Sequence, residues 1–308
     1  MFDDIFNDLL NIKCNEMEIK QITQWKQAKG QSDYELEHVK DNNKFRIIIT
    51  QNDKERTFRL SSENELKIDE VFLEFINIEK LIMLFEGIFW NIKEITFSPI
   101  SPLFCDELAE ECKRRRLSYF ETDKLFFWEN QKLVDFSNLL TNDLLNKWEK
   151  ILEDLDIIHQ MYLYNLAETK IPKEIKLATM IEVFEPLVEL IKDYNHFFVS
   201  LSPGERNTTL KMCVDATISK YGKDIFKKEY QDNKDMFLQK VVNSRIRIMH
   251  IKRMLKDKPF FTGTESLIYM VKFSLLYRCT ILSLLNTDYE LYRNQLLKIV
   301  DYWDNWEN

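Results

Sequence analysis

The sequence predicts an α+β protein: a small N-terminal α+β domain with antiparallel strands over residues 1–137, followed by an all-helical bundle over residues 138–308. Three observations carry this reading. The chain has 308 residues, about twice the usual single-domain length. It holds only 5 Gly and 6 Pro, which argues against a loop-rich all-β design. Short strand-like runs stop near Asn138, and long amphipathic runs take over.

The elements follow in order. Residues 34–40, 44–50 and 56–60 are short runs with β-branched or aromatic residues. They are separated by turn chemistry at Asp41-Asn42-Asn43 and Asn52-Asp53, and read as an antiparallel meander. Residues 68–86 carry Val71, Phe72, Phe75, Ile78, Ile82 and Phe85 at helical spacing and end at Gly87, a helix C-cap. Residues 93–98 form a further strand, and 102–116 a helix that closes on Lys113-Arg114-Arg115-Arg116. That basic run fits a helix C-terminus better than a nucleic-acid patch. Residues 117–128 supply one or two more strands. Helices are expected over 139–166, 173–199 with a break at Pro186, 205–221, 224–230, 232–256, 264–285 and 288–305. Short loops between such helices give an antiparallel bundle.

Composition excludes several classes. The five cysteines are odd in number and lack Cys-x-x-Cys spacing, so they read as free thiols in a reducing compartment. The net charge of -8 leaves only a local patch for nucleic acid. Met1 is followed by Phe2, Asp3 and Asp4, the wrong charge for a secretory leader. The apolar stretch Val71–Trp90 is interrupted by Glu74, Glu79, Lys80 and Glu86, so no membrane association is expected and the protein reads as cytoplasmic. There is no Gly-rich phosphate loop, no His-Glu-x-x-His and no Gly-x-Ser-x-Gly. The four histidines have no close partner in sequence, and neither metal nor cofactor is expected. His38, His159 and His196 read as core or capping histidines.

The informative segment is the helix over 238–256. At about 100° per residue, Leu238, Val241, Val242, Ile246, Ile248 and Met249 share one broad apolar face, with Arg245 near its middle. Arg247 points to solvent, and His250 lies on the flank beside Gln239 and Asn243. A guanidinium in an apolar stripe is costly unless it is paired or lines a functional cleft. Between Lys240 and Lys258 seven residues are basic and only Asp257 is acidic, a focused positive patch suited to a phosphate backbone.

Arg245-Ile246-Arg247-Ile248-Met249-His250 is an Arg, four residues, then His. An apolar helix precedes it, and the loop Lys258-Pro259-Phe260-Phe261-Thr262-Gly263 and a long apolar helix follow. This arrangement resembles the HEPN superfamily, specifically its ApeA-like branch. Residues 75–87 (Phe75-Ile76-Asn77-Ile78-Glu79-Lys80-Leu81-Ile82-Met83-Leu84-Phe85-Glu86-Gly87) resemble the N-terminal domain that precedes the helical domain in that branch.

The resemblance implies an endoribonuclease that works without metal, as a homodimer in which two motifs face one cleft. It also implies a role in prokaryotic antiviral, abortive-infection or toxin-type defence, with an inhibitor or trigger protein as a further partner. Under it His250 is the general acid or base and Arg245 binds the scissile phosphate of the RNA substrate while the ribose 2′-hydroxyl attacks. Asn243, Arg247, Lys252 and Arg253 are then the residues expected to contact RNA. Positions five apart on a straight helix diverge by about 140°, so a helix break or a second subunit must complete the site. The sequence departs from the family at Ile246, where the family usually has a polar residue. Loss of that partner leaves Arg245 less well held or marks a copy without catalysis. The rival reading is a non-catalytic HEPN module that binds RNA, a nucleotide or a partner protein. Arg245 buried against a carboxylate of its own subunit would favour a binding or structural role; Arg245 and His250 both lining one open cleft at a two-fold interface would favour the nuclease. A helical scaffold with an accidental motif is the third reading. Arg206-Asn207 imitates the family's Arg-Asn pair without the following His. Arg278 is expected to pair with Glu185 or Glu189 in the bundle or to line the cleft.

Overall fold

A computed structural model gives the fold, describing residues 12–22, 32–40, 43–52, 55–116, 131–166, 171–195, 209–249 and 257–306. The chain divides into two compact units, Met1–Lys150 with Leu166–Glu168, and Ile151–Asn165 with Thr169–Asn308.

The first unit is built on a five-stranded antiparallel sheet: β1 (Lys13–Ile22), β2 (Ser32–Lys40), β3 (Asn43–Gln51), β4 (Glu55–Lys67) and β5 (Asn91–Ser98), in the order β2-β3-β4-β1-β5. Alternation sets the inner face: Phe45, Ile47 and Ile49 of β3, Phe58 and Leu60 of β4, Met17 and Ile19 of β1, and Ile95 and Phe97 of β5 are buried. The expected meander is present as β2, β3 and β4, but β1 was not expected. It enters the sheet between β4 and β5, where both its edges are paired. Its pattern is weak because a register shift falls between Cys14 and Glu16 and because one inward residue is the polar Gln21. The expected strands over 117–128 lie outside the described residues.

Helix α1 (Ile68–Glu86) packs on β1 and β4. It ends as expected at Gly87, whose φ of 66° is left-handed and whose N–H donates to the Met83 carbonyl at 2.7 Å. The helix is nearly all buried and carries three buried glutamates: Glu86 meets Arg56, Glu79 meets Gln21, and Glu74 meets His38 and Lys40. Helix α2 (Pro102–Arg116) follows β5; Lys113 and Arg114 pair with Glu110 and Glu111 one turn back. A 3-10 turn, Phe136–Asn138, precedes α3 (Asn142–Leu166), within which the boundary between the units falls.

The second unit is helical: α4 (Lys173–Glu182), α5 (Phe184–Asn195), α6 (Leu210–Tyr221), α7 (Lys227–Met249), α8 (Gly263–Leu284) and α9 (Glu290–Asp304). The expected break at Pro186 falls instead at Val183. Proline is tolerated in a helix's first turn, where no intrahelical partner exists for its missing N–H, while its ring opposes helix at the carbonyl four residues back. The two helices expected over 224–230 and 232–256 are one element, kinked at Asn233.

Helix α8 is the core of this unit, contacted by α4, α5, α6 and α9. Among the described residues it alone is long and apolar enough to cross a membrane, but 78% of that window is buried inside the structure. Lys272, mid-helix and fully buried, is closed off by Glu229 at 2.5 Å and Asp304 at 2.6 Å.

Candidate functional site at the end of helix α7

The described part of α7 buries Phe237, Leu238, Val241, Asn243 and Ser244. The buried face is therefore rotated from the expected one: Val241 is sealed, Met249 is exposed, and Arg245 sits at the margin. The cause is tertiary. Helices α4 and α6 cover one side of α7, and the returning segment 259–261 covers another.

Two side chains fasten that segment. Asn243 donates through Nδ2 to the Pro259 carbonyl at 2.9 Å and accepts from Gln239 at 3.0 Å. Ser244 Oγ accepts the Phe261 N–H at 2.8 Å and donates to the Lys240 carbonyl at 2.8 Å. Asn243 is thus not placed to touch RNA, as the sequence suggested; it is buried and engaged in holding the loop.

Arg245 meets Glu182 of α4 in a two-pronged pair. Its Nε donates to Oε2, and Nη2 donates to Oε1 at 2.7 Å. The two side chains keep 18% and 27% of their exposure, so the pair is lined by protein on one side and open on the other. The hydrogen bonds from Arg245 to Glu182 hold the guanidinium's pKa above its ordinary value. The sequence assigned a buried, paired arginine to a binding or structural role; Arg245 is paired but only partly buried.

Arg247 is exposed, as expected, but it does not stand free. Its guanidinium lies 3.6 Å from the Phe260 ring centroid, a cation–π stack. The stack borders a cleft of about 190 Å³ formed by Glu174 and Leu177 of α4, Ser244 and Ile248 of α7, and the segment Phe260–Thr262. Ser266, in the first turn of α8, also lines it; its hydroxyl is fully buried and has no hydrogen-bond partner among the described residues. Glu174 accepts the Gly263 N–H at 3.1 Å, placing a carboxylate at the positive end of α8.

His250, Lys252 and Arg253 lie outside the described residues, as do His196, Arg206 and Asn207. Arg278 is buried within α8 and does not line the cleft. His159 is a core histidine, as expected, with Nδ1 2.9 Å from the Tyr277 hydroxyl. His38 is a buried histidine, as expected, but it stands beside two carboxylates, Glu74 and Glu149, that are remote in sequence. Comparison with protein-family models, curated proteins and solved structures found no match to this chain.

Proposed function

We propose that the helical unit is a HEPN-type RNA-binding module that engages RNA at the C-terminal end of α7. The observation that carries this reading is the Arg247–Phe260 stack at the mouth of the cleft. An exposed guanidinium held flat on an aromatic ring offers a charge to a phosphate and a planar surface to a base. Arg245, which directly follows the cleft's Ser244 and precedes Ile248 by about one turn, is engaged with Glu182, which favours binding over chemistry.

Metal-independent cleavage of RNA is the second reading. It is favoured by the partial openness of the Arg245–Glu182 pair, which lets a phosphate approach the guanidinium edge-on. In that reading Glu182 orients Arg245, His250 moves the proton, and a second copy of the chain completes the cleft. The antiviral or toxin-type role implied by the HEPN resemblance belongs to it.

One experiment separates the two. The full chain is mixed with a 5′-labelled unstructured RNA in EDTA; anisotropy reads binding and a denaturing gel reads integrity. Wild type is expected to bind and leave the RNA intact. Arg247→Ala is expected to weaken binding and to lower the salt slope by about 1. Unchanged binding by Arg247→Ala removes the first reading. Cleavage by wild type that is lost in Arg245→Ala and His250→Ala installs the second.

A further inference from the structure

Within the first unit, the edge strand β2 turns His38 inward against α1 and the start of α3. Its Nδ1 lies 3.0 Å from Asn142 Oδ1, and the same oxygen accepts the Val39 N–H at 3.0 Å. That oxygen is an acceptor, so Nδ1 carries the proton of a neutral His38 and Nε2 presents a bare lone pair. Nε2 faces Glu74 Oε1 at 3.3 Å and Glu149 Oε1 at 3.9 Å. Three acceptors therefore converge, all within 4.8 Å of one another. His38 and Glu74 are sealed from solvent, and neither His38 Nε2 nor Glu74 Oε1 has a hydrogen-bond partner among the described residues. Buried acceptors facing one another are costly unless a proton or a metal ion joins them.

Charge points the same way. Lys40 Nζ reaches Glu149 Oε1 at 2.6 Å and Glu74 Oε2 at 3.3 Å, so one ammonium stands against two carboxylates. Asn77 donates to Glu149 at 3.3 Å but brings no charge. With His38 neutral, the cluster is one positive charge short.

We propose that His38, Glu74 and Glu149 form a binding site for a divalent transition-metal cation of the zinc class, with Asn142 orienting the imidazole. One imidazole nitrogen and two carboxylate oxygens are ligands that zinc takes at about 2.0–2.2 Å, and a tetrahedron of that size puts ligand atoms about 3.4 Å apart. The separations of 3.3 and 3.9 Å from His38 Nε2 lie close to that spacing. The hydrogen bond from Nδ1–H to Asn142 is the outer contact that fixes the tautomer of a metal-binding histidine. Calcium, which takes six to eight oxygen ligands, is a poor match. Lys40 keeps 30% of its side-chain exposure and can swing outward, making its ammonium the competitor that an arriving ion displaces. The bound ion would clamp the edge strand β2 to α1 and α3. This site is independent of the RNA-binding reading.

The test uses the full chain, stripped with a chelator, desalted and then titrated with zinc. Metal content and the thermal midpoint are the readouts. Wild type is expected to retain one zinc per chain and to melt several degrees higher with zinc in excess, because only the folded state binds it. His38→Gln and Glu149→Gln are expected to lose both the zinc and the shift, while His250→Ala keeps them. Lys40→Met is expected to hold zinc about tenfold more tightly, since the competing ammonium beside the ligands is gone. Absence of zinc uptake by wild type overturns the proposal and leaves a proton on His38 as the missing charge. Full retention of zinc by His38→Gln overturns it equally. If His38→Gln does not fold, Lys40→Met decides: unchanged or weaker zinc affinity in that variant overturns the proposal.

Discussion

Two arginines with similar partners do different work because water reaches one and not the other. Arg56 is fully buried: Nη2 lies 2.6 and 2.7 Å from the Glu86 carboxylate oxygens, Nε and Nη2 lie 2.9 and 2.6 Å from Gln51 Oε1, and the guanidinium sits 4.1 Å from the Trp90 ring centroid. Glu86 has no exposed side-chain surface. Arg56→Met would leave that carboxylate buried and uncompensated, and is expected to cost about 3–5 kcal/mol in urea unfolding, with partial recovery in Arg56→Met combined with Glu86→Gln. A loss below about 1 kcal/mol would mean that Glu86 finds water or another partner. The Arg245–Glu182 pair is partly open to solvent, so screening reduces what it adds to stability.

At the scale of the element, α7 is two helical segments joined at Asn233, where φ is -164° and ψ is 88°. That backbone is extended and unstrained. The Asn233 side chain makes it a start signal: Oδ1 accepts the Met236 N–H at 3.0 Å, capping the segment that carries Arg245 and Arg247. Asn233→Ala is expected to destabilise the chain by about 1 kcal/mol, with Asp or Ser at the same position restoring most of the loss. Thermal melts of the three variants decide it; an Ala variant as stable as wild type would show that packing alone fixes the segment's start.

For the molecule as a whole, charge sets the character of any RNA contact. The net charge is -8, and the second unit's described cations at the cleft are few. Lys240 is paired with Glu265 at 2.5 Å, and Arg245 with Glu182. Few phosphates can be neutralised at once, so the logarithm of RNA affinity is expected to fall with the logarithm of salt at a slope no steeper than about -4. Anisotropy titrations between low and physiological salt measure it. A steeper slope would place the contact on a much larger basic surface than the end of α7 offers.

The sequence by itself determined the α+β class, the β2-β3-β4 meander, the helix ending at Gly87 and the helical second half. These rest on local signals: alternation, 3.6-residue spacing, turn residues and a glycine free to adopt positive φ. It also singled out Arg245 as a charge in need of a partner. Tertiary structure alone decided the rest. It placed β1 between β4 and β5, because sheet order depends on pairing energies that a bulged, half-polar strand does not advertise. It gave Arg245 to Glu182 and Arg247 to Phe260, since both partners come from segments that fold back from elsewhere in the chain. His38, Glu74 and Glu149 are far apart in sequence and share no periodicity, yet the sheet edge and two helices bring their acceptor atoms within 4.8 Å of one another. Local rules report which face a side chain takes; only the folded chain sets which distant groups share it, because that depends on long-range packing.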